Sequence, residues 1–422
     1  MDCGGALSRS TLLALWLLPA AAFAQDFSAD QHILLSEGTL RGSPRVMGLA
    51  GAWTGLAEGA EGIPRNAAAP AMRDAKFASD FSWDVGGTMH FLFPWSTREQ
   101  DWDNDGAVDQ ASAASTQFLG SQVLYSFAAL QYKWFGFGAG FDIQNFLAKR
   151  QLEGEGFERY YNLALTHIFA VLAARFWRDQ IALGVGVEST HAFIGYGEQP
   201  LGDFLPTVKD SMGFHGWGLL VGGVWRPEDG NWRVGFSYKP ALLAGPFAPR
   251  TDIGGLAAPS GVDVPGRLML GATVALGPGR NFNITSKEGW ALKDPDDPKS
   301  PRIPSMMKWL ILAQVDIVFP VQGATTVGAF FGQAPAVPAG NRVNFQPRLA
   351  IEKELFPELL RLRLGGYLEP PINEFGPTVR PHLTFGLEVG LFKLGNERMS
   401  FGLSFDFAHL YQNLSVGILV WK

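Results

Sequence analysis

The amino-acid sequence predicts an all-β fold: a transmembrane antiparallel β-barrel of about 14 strands with an N-terminal hatch inside its lumen. Three observations predict it. From about residue 77 to the end, segments of roughly ten residues place apolar side chains on one parity and small or polar ones on the other. In Phe401-Gly402-Leu403-Ser404-Phe405-Asp406-Phe407-Ala408, three Phe and one Leu point one way while Gly, Ser, Asp and Ala point the other. The chain opens with an export signal, so the apolar face is read as meeting lipid rather than a soluble core. The composition agrees: Gly 51, Phe 32 and Trp 13 stand beside only 18% charged residues, below the roughly 25% of an average soluble domain. A secreted soluble sandwich or propeller is the competing fold, but no repeat of about 40–50 residues supports a propeller.

In chain order, residues 1–24 read as a signal peptide. Arg9 precedes the apolar run Thr11 to Ala22, and Ala22-Phe23-Ala24 supplies an A-x-A cleavage site. The run is too short to span a bilayer as a helix, and no later stretch of 18 uncharged apolar residues offers one. The one cysteine, Cys3, lies inside the signal, so the mature chain is expected to use neither thiol nor disulfide chemistry. Residues 25–75 form the hatch segment and 76–422 the barrel. Strands are expected near 77–91, 118–131, 133–144, 159–173, 180–194, 213–226, 231–240, 265–276, 306–319, 342–354, 359–369, 380–394, 398–408 and 412–421. Their outward residues include Phe135, Phe137, Phe141, Leu183, Val185, Val187, Trp217, Leu219, Val221, Phe345 and Leu349. Tight links such as Tyr132-Lys133 and Pro227-Glu228-Asp229-Gly230 suit periplasmic turns. The longer connections near 96–117, 195–212, 241–262, 320–341 and 370–379 suit external loops. Two places strain the scheme: 277–305 is long for a periplasmic turn, and Thr326 to Phe331 resembles an extra strand that would break the even count. The last strand ends Trp421-Lys422, an aromatic close of the kind the barrel-insertion machinery reads.

Residues 38–73 lack the alternation and are dense in small side chains, which let backbone pack closely inside a lumen. The run holds Arg45, Gly48, Gly51 and Ala52, then Gly55 to Ala60, then Asn66. This resembles the FadL-type outer-membrane superfamily, including the PorV-like proteins, whose pattern runs G-x-R-x-x-G-x-G-G-A, A-x-A-D-D-A and N-P-A-G. Here the paired Asp are replaced by Glu58 and Glu61, and Asn-Pro-Ala becomes Asn66-Ala67-Ala68-Ala69-Pro70-Ala71. Val262-Asp263-Val264-Pro265-Gly266-Arg267 is similar to the proline-led strand such proteins carry after a long external loop. The resemblance implies a fourteen-strand barrel in the outer membrane of a Gram-negative bacterium, plugged by a hatch. It also implies passive uptake of small hydrophobic compounds such as long-chain fatty acids, with Arg45, Gly48, Gly51 and Asn66 as binding or gating positions. The alternative within the same resemblance is a non-transporting, PorV-like secretion or assembly platform.

Other constellations are read from the residues themselves. Asp101-Trp102-Asp103-Asn104-Asp105-Gly106-Ala107-Val108-Asp109 places acids at positions 1, 3, 5 and 9 and Gly at 6, the start of an oxygen-ligand calcium loop. Asp101, Asp103, Asp105 and Asp109 would supply carboxylates and Ala107 a backbone carbonyl; Ser112 stands where a bidentate Glu would close the shell. A structural Ca²⁺ in the first external loop is therefore expected, and no other cofactor. The seven His show no zinc-binding spacing. Ser, His and Asn on one wall could form a triad that spacing cannot reveal, as in a lipid-modifying barrel enzyme. A lone His near a strand end is more often interfacial, and no enzymatic activity is expected. The net charge of −6 argues against a nucleic-acid partner. Lumen-parity charges, among them Asp80, Asp84, Asp142, Glu188, Asp316, Arg348, Glu352, Arg363, Glu388 and Asp406, are expected to pair across the lumen or with Arg45 and Arg65. Phe193, Ile194, Tyr196, Phe204, Leu205, Leu242, Leu243 and Phe247 fit either a hydrophobic capture groove or a membrane-surface girdle. The expected partners are outer-membrane lipid, a hydrophobic small molecule and the insertion machinery.

Overall fold

The computed structural model describes residues 32–35, 40, 42–72, 81–92, 116–150, 157–200, 207–227, 230–254, 256–277, 309–327, 330, 339–356, 359–371, 379–394 and 397–421. The signal segment, Asp80, the calcium-type run 101–109, Phe204, Leu205 and residues 278–305 lie outside them. The wall is made of β2 (Phe81–Leu92), β3 (Thr116–Tyr132), β4 (Phe135–Arg150), β5 (Phe157–Phe176), β6 (Ile181–Pro200), β7 (Thr207–Trp225) and β8 (Trp232–Lys239). It continues through β13 (Arg267–Leu276), β14 (Trp309–Val318), β16 (Asn344–Phe356), β17 (Leu360–Glu369), β18 (Arg380–Leu394), β19 (Glu397–Ala408) and β20 (Tyr411–Trp421). Each strand pairs antiparallel with its neighbours, and β20 closes on β2, giving a closed barrel of 14 strands.

Alternation in the sequence becomes inside and outside in space. Phe345, Leu349, Trp217 and Leu383 stand 60%, 65%, 65% and 56% exposed on the outer surface. Asp316, Arg363 and Asp406 on the other parity are buried. A band of exposed Phe, Leu, Val and Trp of this extent runs around the whole wall, which is the surface a barrel turns to hydrocarbon.

Six short strands are not part of the wall. They are β1 (His32–Leu34), β9 (Leu242–Pro246), β10 (Asp252–Ile253), β11 (Leu256–Ala257), β12 (Gly261–Val264) and β15 (Ala324–Thr326). The last of these shares only Thr326 with the strand-like stretch Thr326 to Phe331, of which residues 328, 329 and 331 lie outside the described residues. It pairs parallel with β1 and adds no strand to the wall. The expected loop 195–212 is corrected in part. β6 and β7 continue as a ladder to Pro200 and from Thr207, because antiparallel backbone pairing persists beyond the membrane band.

Residues 43–72 sit within the barrel. A short helix, α1 (Pro44–Gly48), starts at Ser43, whose Oγ accepts from Val46 N at 3.2 Å, with Pro44 in the first turn. It ends in a left-handed pair, Ala50 (φ 53°) and Gly51 (φ 70°). Two single-turn 3₁₀ segments follow at Ala60–Gly62 and Ala69–Ala71.

Candidate functional site: a two-level lumen

The hatch lies with its backbone directly on the wall, and wall glycines make that possible. A Cβ on Gly386 of β18 would come 3.0 Å from Gly48 Cα, and one on Gly48 2.8 Å from Gly386 Cα. Gly184 and Gly222 face Ala67 and Asn66 in the same way, and any side chain there would run into hatch atoms. The lumen-parity glycines of β4, Gly136 and Gly138, carry Pro70 and Ile63. The small-residue density of both partners is therefore one feature read twice.

Charged side chains fix the hatch laterally. Arg45 Nε and Nη2 donate to the two carboxylate oxygens of Glu352, both at 2.9 Å. Arg363 Nε donates to the same carboxylate at 2.6 Å and its Nη2 to Glu388. Arg45 also lies 3.6 Å from Glu58 and 3.9 Å from Glu61, and its guanidinium stands 4.9 Å over the Trp53 ring. Glu58 accepts from Arg233 Nη1 of β8 at 2.8 Å. Asp316 of β14 gathers three guanidiniums: Arg348 (3.0 Å), Arg267 (3.5 Å) and hatch Arg65 (3.6 Å). Backbone bonds complete the seat: Ala60 N donates to Asp84 (2.7 Å), Thr54 N to Gln314 (2.9 Å) and Arg348 Nη1 to Ala50 O (2.8 Å). The expected pairing of lumen charges with Arg45 and Arg65 is thus present. Burial drives the Glu61 carboxyl up to about 7, with nearby Arg45 opposing the rise and Glu388 adding to it.

Each hatch position singled out in the sequence has a structural task. Gly51 supplies the left-handed turn after α1, where a Cβ would also meet Leu40 and Arg348. Asn66 is fully buried. Its Nδ2 donates to Thr54 O (2.9 Å) and to Gly223 O of β7 (3.1 Å), while its Oδ1 accepts from Ala68 N (2.9 Å). One amide therefore ties two hatch loops to the wall.

Above the hatch, toward the external loops, the lumen changes character. β1 runs parallel between β12 and β15, and β12 in turn pairs with β9. His32 Nδ1 meets Asp263 at 2.9 Å. Around Ile33 and Leu35, Tyr161, Ile194, Phe214, Leu242 and Phe330 form the largest apolar cluster among the described residues. Small cavities lie beside Leu34, Arg267, Phe319 and Glu369, beside Arg65, Asp142, Glu188 and Lys239, and beside Ser43, Glu61, Thr88 and Arg363, each with room for at most a few waters.

The expected capture residues divide accordingly. Ile194, Tyr196 and Leu242 point into this chamber, whereas Phe193 and Phe247 are exposed on the outside. Beside the chamber the wall is interrupted. β7 pairs with β8 from Val221 to Trp225 and with β9 only at Phe214 and His215, so residues 216–220 have no ladder partner on that side. Pro240 ends β8, the chain turns inward, and Leu242 packs behind Gly216 and Gly218. Sequence reasoning missed this gap; its signal was Pro240 directly after the shortest wall strand, opposite a Gly-x-Gly run. The histidines are also less scattered than their spacing suggests, since His191 and His215 face each other across β6 and β7. Among the described residues no group of three or more His, Cys, Asp or Glu is arranged to hold a metal ion.

No protein-family model matches the sequence, and no curated protein is significantly similar to it. Solved structures are similar to it in fold. One is the CymD monoaromatic hydrocarbon channel, with a TM-score of 0.54 and 12% identity over 90% of this chain and 97% of that one. Another is a Pseudomonas aeruginosa FadL homologue, with a TM-score of 0.50 and 12% identity over 91% and 97%. The barrel fold is therefore shared with these structures.

Proposed function

We propose that this protein is an outer-membrane channel of a Gram-negative bacterium for passive uptake of small hydrophobic compounds, with long-chain fatty acids or compact aromatic hydrocarbons as the substrate class. The observation that carries the reading is the position of the apolar chamber: it lies inside the mouth, above the hatch and directly behind the unpaired stretch of β7. The shared fold supports it, since one protein of that fold is a hydrocarbon channel.

Passage would begin with exchange. A hydrophobic molecule entering from outside takes over apolar surface now covered by Ile33 and Leu35, because the hydrophobic effect does not distinguish a ligand's carbon from the protein's own. Displacement of β1 reaches the hatch along the chain through Leu40, which packs on Met47, Ala50 and Tyr367. Leu242 then swings from the gap between β7 and β8, releasing the molecule sideways. Arg45, Gly48, Gly51 and Asn66 act as gating residues in this scheme: they hold or permit the seated hatch and touch no substrate. No covalent chemistry or energy source is needed. Assembly through the barrel-insertion machinery, reading the strand that ends in Trp421, belongs to the same proposal, as does a calcium ion on the 101–109 run. For calcium, proteolysis of that loop with and without the ion is the test; equal digestion refutes it.

The platform alternative called for a closed lumen filled by paired charges. Most of the paired charges lie at the hatch level; the mouth holds the apolar cluster beside the His32–Asp263 and Glu369–Arg380 pairs, and this apolar share favours the channel reading. Uptake of a radiolabelled fatty acid or of toluene by cells with and without the protein decides it. Faster entry in expressing cells is expected, and accelerated further by Leu242→Ala; equal rates with the barrel folded in the membrane would overturn the proposal.

A further inference from the structure

On the outer surface of the wall, one polar cluster interrupts the apolar band. His191 of β6 and His215 of β7 are direct cross-strand partners. Both share the outward parity of Val185, Val187 and Phe193 on one strand and of Trp217, Leu219 and Val221 on the other. Their rings lie 4.7 Å apart, and both Nε2 atoms converge on the hydroxyl of Ser189, at 2.9 Å for His191 and 3.4 Å for His215. Trp217 packs edge-on against His215 at 5.2 Å, and Phe247 stacks over it at 5.9 Å.

We propose that His191, His215 and Ser189 form a site for one divalent transition-metal ion that clamps β6 to β7. A tetrahedral ion bound at about 2.0 Å needs donor atoms roughly 3.3 Å apart, and the two nitrogen–oxygen separations already bracket that edge. Imidazole donors select Zn²⁺, Cu²⁺ or Ni²⁺ over Ca²⁺. The fourth position faces outward, open to water or to a lipid phosphate. Both histidines stand ten residues above the periplasmic ends of their strands, Ile181 and Trp225. With ordinary rise and tilt that is roughly 25 Å, the outer edge of the hydrocarbon band, where ions arrive from outside. With two imidazoles and one hydroxyl, affinity falls below that of a four-ligand structural zinc site.

The position also has a consequence, which rests on the channel reading. His215 is the last β7 residue paired with β9 before the unpaired stretch 216–220. An ion holding His215 to β6 stiffens the upper post of that gap and slows lateral release.

The test uses the untagged full-length protein folded in detergent, titrated calorimetrically with ZnCl₂ and, separately, CaCl₂. Expected are one saturable Zn²⁺ site, a higher unfolding temperature with Zn²⁺ and no Ca²⁺ binding. His191→Ala and His215→Ala should each weaken binding about tenfold or more, and Ser189→Ala less, with heat-modifiable migration confirming a folded barrel. No Zn²⁺ binding by the folded wild type, or undiminished binding by the double His→Ala variant, overturns the site. Uptake by chelator-treated cells separates the two levels. Substrate entry that is independent of Zn²⁺ removes the clamp's effect on release. Absence of entry with and without Zn²⁺ removes the channel reading and leaves the calorimetric result standing.

Discussion

The two levels of the lumen are closed by different physics. At the mouth, β1 is held mainly by apolar packing, with short ladders to β12 and β15 and one side-chain contact, His32 to Asp263. At the hatch, Arg45, Glu352, Arg363 and Glu388 form a connected set of buried ion pairs. Apolar contact is non-directional and is given up at little net cost when another apolar body takes its place. A buried guanidinium–carboxylate pair is directional, and breaking it leaves a charge in a poor solvent, a cost of about 3–5 kcal/mol. A hydrophobic visitor can therefore replace the upper closure but not the lower one. On the proposed channel function, selectivity for apolar molecules would lie at the mouth and resistance to leakage at the hatch.

The sharpest way to break this division is to unseat the hatch sterically. Gly222→Val puts a branched side chain where Asn66 already sits, and no rotamer avoids it. The expected result is a barrel that still migrates as a folded species but no longer seats residues 43–72, at a cost of several kcal/mol. Single-channel conductance in planar bilayers should rise from near silence to a steady open level. A silent Gly222→Val channel would mean that the lumen is sealed by something other than the hatch.

Next in size is the charge lock. Glu352→Ala removes the carboxylate that Arg45 and Arg363 share, leaving Arg45 to Glu58 and Glu61 and Arg363 to Glu388. The hatch should loosen by at most about 3–5 kcal/mol. Limited proteolysis within 43–72 reads this directly. Glu352→Gln, which keeps shape and accepts one hydrogen bond, should be milder. Equal protection in all three proteins would show that the pairs are incidental to seating.

How much of this was legible beforehand follows from the same physics. All fourteen wall strands were readable because lipid on one side and a lumen on the other impose the same alternation on every strand. The hatch showed itself as small residues, since close backbone approach excludes anything larger. Its ion pairs were half legible: parity put Asp316, Glu352, Arg363 and Glu388 inside, and Arg45 and Arg65 were natural counter-charges. What parity cannot express is the third dimension. β1 and β15 meet across nearly three hundred residues of chain, in parallel, and no local pattern encodes that. The His191–His215 pair needed a hairpin register, which sequence gives only to within a residue or two, and a slip of one residue turns a strand's side chains to the other face.

Acidity tunes the lower level third most strongly. The Glu61 carboxyl, raised to about 7 by burial, is protonated in the seated hatch at pH values where a solvated glutamate is ionised. Seating is then fully supported below about 4.5 and loses this contribution as pH climbs through 7, by at most roughly 3 kcal/mol. Hydrogen exchange of hatch amides should slow as pH is lowered from 8 to 5 after correction for intrinsic rates. Glu61→Gln should flatten the profile, and an unchanged slope in that variant would assign the dependence to another group.

The smallest change sharpens the comparison most, because it asks whether the two levels respond differently to the same molecule. Ile33→Val removes one buried methylene from β1 and should cost about 1 kcal/mol, seen as easier proteolysis near His32. A small apolar ligand such as toluene, too large for a one-methylene void, displaces the loosened β1 and takes over its apolar contacts, so unfolding temperature should recover on its addition. The same ligand added to Glu352→Ala should restore nothing, since a hydrocarbon cannot replace the missing carboxylate. Recovery of both variants, or of neither, would show that the mouth and the hatch are one cooperative plug rather than two closures with separate chemistries.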